Sequence, residues 1–178
     1  MKTKLIRNVS ALIGCTLLAA SCIQVDNVEN AWKHSKADSE LLGVWKGNDG
    51  RCAFIKTEKD YFITAGPNQL EGGCKSFEVA GHKYVIVASL QPSLLGFEGM
   101  EEDAKGGTLL RYEVKGDTLT MYSLEPDKIT QAIKAKQVPG VIEDDNGRLT
   151  ELDRATIQWL GKVASEDGWK PNVYKRVK

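Results

Sequence analysis

Leu109-Leu110-Arg111-Tyr112-Glu113-Val114-Lys115-Gly116-Asp117-Thr118-Leu119-Thr120-Met121-Tyr122-Ser123-Leu124 is the stretch of this 178-residue chain that decides its fold. Two runs rich in β-branched and aromatic residues, Thr108 to Val114 and Thr118 to Leu124, flank Lys115-Gly116-Asp117, a tight-turn sequence that predicts a β-hairpin. In the first run Leu110, Tyr112 and Val114 fall on one face and Arg111 and Glu113 on the other, as expected of a sheet wet on one side.

The same grammar extends outward in both directions. Leu42 to Lys46 precedes Gly47-Asn48-Asp49-Gly50, a turn-rich tetrad, and Cys52 to Thr57 follows it. Tyr61 to Ala65 makes a further strand after Glu58-Lys59-Asp60, and Ser76 to Ala80 and Lys83 to Leu90 flank Gly81-His82. Tyr84, Val85, Ile86 and Val87 form an unbroken apolar run, which predicts a strand covered on both faces. Pro126 opens a helix where its missing N–H does no harm, with Ile129, Ala132 and Ile133 on one side. Thr150-Glu151-Leu152-Asp153 resembles a capping box, ahead of Leu152, Thr156, Trp159 and Val163 at helical spacing. Val173 to Val177 reads as the last strand. About eight strands with helices before the last one predict a mainly β domain, either a small antiparallel up-and-down barrel, which removes sheet edges, or a sandwich.

The first residues carry an address. Lys2, Lys4 and Arg7 precede an apolar run from Val9 to Ala20, too short to span a bilayer and of the length of an export signal. Ala19-Ala20-Ser21-Cys22 then resembles the cleavage site of a bacterial lipoprotein signal, in which the cysteine after the cut carries acyl chains. Leu12-Ile13-Gly14-Cys15 is a second local match, but a cut there leaves too short an apolar core. An ordinary cut releasing a soluble protein is the alternative, and it leaves an unpaired exported thiol at Cys22. The resemblance implies a signal peptide over 1–21, lipid attachment at Cys22, and a partner in the membrane itself. Ile23 after the cysteine resembles the sorting pattern for the outer membrane, facing the periplasm. Ile23 to Asp38 is polar and reads as a flexible tether, leaving 39–178 as one barrel domain.

Removing 21 of 178 residues leaves 157, and 21 basic residues then face 24 acidic ones, a net charge of −3. No basic stripe argues for nucleic acid. Cys52 and Cys74 remain as the cysteines of the domain. An oxidising compartment favours a disulfide between them, worth about 3 kcal/mol for a loop of this size. A metal pair is the rival reading, but His34 and His82 are the only histidines and neither lies at zinc-site spacing, so no metal is expected.

Leu42-Gly43-Val44-Trp45 resembles the Gly-x-Trp signature of lipocalin-like (calycin-type) barrels. The resemblance implies that Trp45 plugs the closed end and that Arg176 or Lys175, on the last strand, packs over its ring. Leu42 to Val177 as a whole is similar to uncharacterised bacterial lipoproteins of small β-barrel type, which share the Gly-Asp-Thr-Leu-Thr hairpin, a Pro-started helix and a late helix introduced by Leu-Thr.

Chemistry is harder to find. Neither histidine is placed beside a nucleophile, no phosphate-cradling glycine loop is present, and Glu101-Glu102-Asp103 and Glu143-Asp144-Asp145 read as solvated loops. No catalytic group and no cofactor are expected. The segment from Gln91 to Gly106 carries Leu94, Leu95, Phe97 and Met100, either as a lid over a barrel mouth or folded back on the core. Tyr84, Ile86, Leu94, Phe97 and Tyr112 are the expected ligand-binding residues. The reading is a membrane-anchored envelope lipoprotein that binds a small apolar ligand in its barrel, or a protein partner through its loops. The alternative is a structural or assembly factor of the envelope with no ligand.

Overall fold

The computed structural model describes residues 22–48, 50–57, 62–65, 72–88 and 106–178. The fold is mainly β, a mixed sheet dominated by antiparallel pairings. Its strands are β1 Ile23–Asn27, β2 Gly43–Gly47, β3 Gly50–Lys56, β4 Phe62–Ala65, β5 Gly72–Val79, β6 His82–Ala88, β7 Gly107–Lys115, β8 Thr118–Leu124, β9 Gly140–Glu143, β10 Asn146–Glu151 and β11 Trp169–Arg176. Three short helices accompany them, α1 Glu29–His34, α2 Pro126–Lys134 and α3 Arg154–Val163, with a 3₁₀ turn at Ser39–Leu41. The strand order is β6-β5-β4-β3-β2-β11-β8-β7-β1-β10-β9, and β6 pairs in addition with β7.

The hairpins follow their turn chemistry. Lys115 lies opposite Thr118, so Gly116-Asp117 alone makes the turn, and Gly116 takes the left-handed φ of 57° that glycine adopts without steric cost. Gly47 lies opposite Gly50, and Val79 opposite His82, which puts the second predicted turn at Ala80-Gly81 with His82 as the first strand residue. Pro126 opens α2 as expected.

Four expectations are corrected. Ile23 to Asp38 is not a tether. Ile23 and Val25 of β1 are buried, β1 pairs antiparallel with β7 and parallel with β10, and α1 buries Trp32. The box expected around Thr150 is absent, because Thr150 and Glu151 belong to β10; the cap of α3 is Asp153, whose carboxylate accepts from the Thr156 amide at 2.7 Å. Glu143-Asp144-Asp145 is not an open loop. Asp144 and Asp145 sit at φ 48° and 63°, two consecutive left-handed residues that close the β9–β10 hairpin.

The fourth correction is the disulfide, since Cys52 and Cys74 are both buried and no disulfide joins them. Register explains it. Phe62 lies opposite both Lys56 and Cys74, so Cys74 is level with a point four residues along β3 from Cys52. Four residues are about 13 Å along a strand, and β5 lies two strands away from β3, about 10 Å across. A disulfide needs Cα atoms within about 7 Å.

The core is divided by the sheet. One cluster packs β1, the α helices and β10 against one face of β6 and β7, through Ile23, Trp32, Tyr84, Ile86, Leu109, Leu124, Leu149 and Leu160. The other fills the opposite face with Leu41, Trp45, Phe54, Phe62, Val85, Val87, Leu110, Tyr112, Leu119, Met121 and Tyr174. Residues 84–88 of β6 are therefore all buried, the outcome the apolar run predicts.

Candidate functional site

The second cluster, called inner here, lies on one face of β2–β8 and β11. Trp45 is fully buried in β2, and its Nε1 donates to the carbonyl of Leu41 in the 3₁₀ turn at 2.8 Å. Arg176 lies opposite Trp45 on β11, its guanidinium 4.1 Å from the indole ring. The same guanidinium donates to the carbonyls of Leu42 and Glu40. Gly43 explains its place in the motif: its φ is 123°, and a Cβ there would stand 2.9 Å from Arg176 Nη1. Of the two basic candidates, Arg176 makes the stacking contact, while Lys175 points outward and donates to Thr118 Oγ1 at 2.5 Å.

From the far side the turn is held by charge. Asp38 Oδ2 accepts from Tyr112 Oη at 2.5 Å and from Lys83 Nζ at 2.9 Å, and Lys83 also reaches Glu40 at 2.8 Å. Burial acts to raise the Asp38 pKa, but the bonds from Tyr112, the Glu40 amide and Lys83 together hold the carboxyl below its ordinary range. Burial and then the bond to Asp38 push the Tyr112 phenol upward. The bonds that Lys83 donates to Glu40 and Asp38 raise its own pKa. This network is a clamp; Tyr112 is committed to Asp38 as a neutral donor.

Away from the clamp the inner face becomes polar. Thr64 alternates with Phe62, Thr108 with Leu110 and Ser123 with Met121, so all three hydroxyls belong to the inner side, and all three are buried. Thr108 Oγ1 accepts from Gln24 Nε2 at 3.2 Å, and Ser123 reaches the Lys170 carbonyl at 3.5 Å. Thr64 Oγ1 has no hydrogen-bond partner among the described residues. Sequence reasoning missed Thr64, whose only signal is its alternation with Phe62.

The expected ligand-binding residues are not brought together. Tyr84 and Ile86 face the helices, where Tyr84 Oη donates to the Leu160 carbonyl at 3.1 Å and burial pushes its phenol up to about 12. Tyr112 faces the inner cluster, so the sheet separates it from them. Parity is the reason, since residues of β6 with even and odd numbers point to opposite sides. Leu94 and Phe97 lie outside the described residues. Arg111, expected on a wet face, is instead stacked between Tyr122 at 4.1 Å and Trp169 at 4.6 Å and donates to the Ala164 carbonyl.

Cys22 immediately precedes β1 and packs partly buried against the inner cluster, and its thiol is raised by burial. Cys74 is pushed up to about 12, also by burial, which makes it an inert thiol. Among the described residues no three of His, Cys, Asp and Glu are grouped as a metal site, and no helix is long and apolar enough to cross a membrane. No protein-family model matches the chain, and neither does any curated protein or solved structure.

Proposed function

We propose that this chain is a lipid-anchored lipoprotein of the bacterial envelope, held at the outer membrane through Cys22 and facing the periplasm, whose domain is a lipocalin-like barrel that binds a small ligand. The observation that carries the reading is the closed end, where Arg176 of β11 stacks on Trp45 of β2 beneath the pinned 3₁₀ turn. The ladders support the barrel: β2 through β8 pair successively, β8 pairs with β11, and β11 with β2. An eight-stranded barrel is just wide enough to be filled by side chains or to hold one small molecule.

The ligand is small and largely apolar, with one hydrogen-bonding group. Phe54, Phe62 and Val87 offer the apolar contact, and the Thr64 hydroxyl offers a donor and acceptor that no described residue engages. A ligand-free structural or assembly factor is the second reading, favoured by how many large side chains already occupy the inner cluster. Titration with N-phenyl-1-naphthylamine, an apolar fluorophore with a single N–H, separates the two. Saturable one-to-one binding, weakened about tenfold by Thr64→Val while the fold keeps its stability, is the expected result, since a lost hydrogen bond is worth about 1 kcal/mol or more. No saturable signal returns the protein to the second reading.

The anchor has its own test. Mass spectrometry of the membrane fraction should show an acylated N-terminal Cys22, and Cys22→Ala should abolish the modification.

A further inference from the structure

Outside the barrel, the three helices pack on the side of β5, β6, β7, β9 and β10, and among the described residues no helix covers the outer face of β3, β2 and β11. The charge on that face is arranged in an unusual way. Arg51 lies directly opposite Lys46, and Lys46 directly opposite Lys175, a row of three cations across three adjacent strands. All three are exposed, and none forms an ion pair among the described residues. Like charges in directly opposed positions destabilise a sheet. A fold that keeps such a row gives up stability there.

Beside the row runs an apolar one. Val44 lies opposite Ala53, and the Val177 amide donates to the Val44 carbonyl at 2.8 Å. Ile55 and Val173, on the same face, are 58% and 52% exposed. Among the described residues these are the exposed large hydrophobic side chains, together with Val141 on the far hairpin. We infer that this face lies against an anionic phospholipid bilayer, the cations on headgroup phosphates and the valines and isoleucine at the headgroup boundary. Composition favours a lipid surface over an acidic protein. Protein interfaces concentrate Tyr, Trp and Arg and are depleted of Lys, whereas the exposed positions of this face carry two lysines, one arginine and branched aliphatics, the Trp169 ring of β11 being half-buried against Arg111.

The inference rests on the anchored reading for its setting, because Ile23 is already inside β1 and an acyl group on Cys22 leaves the domain no spacer from the membrane. The test removes that dependence by using the full chain with Cys22→Ala, so that no acyl chain contributes. Partitioning is measured onto vesicles of phosphatidylethanolamine with phosphatidylglycerol and onto phosphatidylcholine alone. Tighter binding to the anionic vesicles is expected, weakened by salt and reduced on the order of 100-fold when Lys46→Gln, Arg51→Gln and Lys175→Gln are combined. Lys134→Gln, Lys136→Gln and Lys162→Gln, on the helical side, serve as the control for overall charge and should leave most of the binding. Equal partitioning onto both vesicle types, or equal losses for the two triple variants, overturns the inference. Undiminished anionic binding by the first triple variant does so too. Failure of the anchored reading would appear separately, as an unmodified Cys22 in the wild-type protein by mass spectrometry.

Discussion

Asp38 shows how one carboxylate is made to hold the 3₁₀ turn beside Trp45. Its pKa is depressed when folded, so its ionised form is favoured in the native state relative to the unfolded chain, where a carboxyl titrates near pH 4. The stability it contributes is fully present above the unfolded value and lost as pH falls through the folded one. Asp38→Asn should therefore be less stable than wild type at neutral pH, and urea midpoints of the two proteins should converge on acidification below about pH 4. A constant gap across that window would exclude Asp38 as the titrating group. At this scale the sequence was readable where neighbours in the chain are neighbours in space: Gly43, Trp45 and their cation Arg176 stand out because two of the three share a short motif. The cysteines were unreadable for the opposite reason. Whether Cys52 meets Cys74 depends on the registers of two successive strand pairs, and the placement of Phe62 between them is not written in either cysteine's surroundings.

Among the elements, those announced by a turn or by a proline were legible, as in the Gly116-Asp117 hairpin and the start of α2. Polar strands were not. β1 carries the period-two alternation of Ile23 and Val25 with Gln24 and Asp26, but its polar partners and its place behind an expected signal make it read as linker. The β9–β10 hairpin was hidden because Asp144-Asp145 suggested a solvated acidic loop, although Asp tolerates the left-handed region such turns require. The start of α3 offers a direct check. Asp153→Ala should cost about 1 kcal/mol in chemical denaturation, whereas Thr150→Ala should change stability by less than half of that, since only Asp153 caps the helix. The reverse order would restore the capping box.

The whole molecule is two packed layers sharing one sheet, and the continuous burial of β6 predicts both layers without saying which side chains face which. That missing parity is why Tyr84 and Ile86 were grouped with Tyr112. The N-terminal segment belongs to the outer layer as fully as any helix, so Trp32→Ala should destabilise the protein by about 3–5 kcal/mol, measured by urea unfolding, where a side chain on a free linker would cost nothing. β1 also has a kinetic meaning. Its slot lies between β7 and β10, with Val25 beside Leu149, so β1 has only one of its two neighbours until residue 151 has been made. At roughly 5–20 residues per second, a ribosome keeps that segment waiting on the order of 6 to 25 s. β1 thus completes its pairing only after most of the fold's other strands exist.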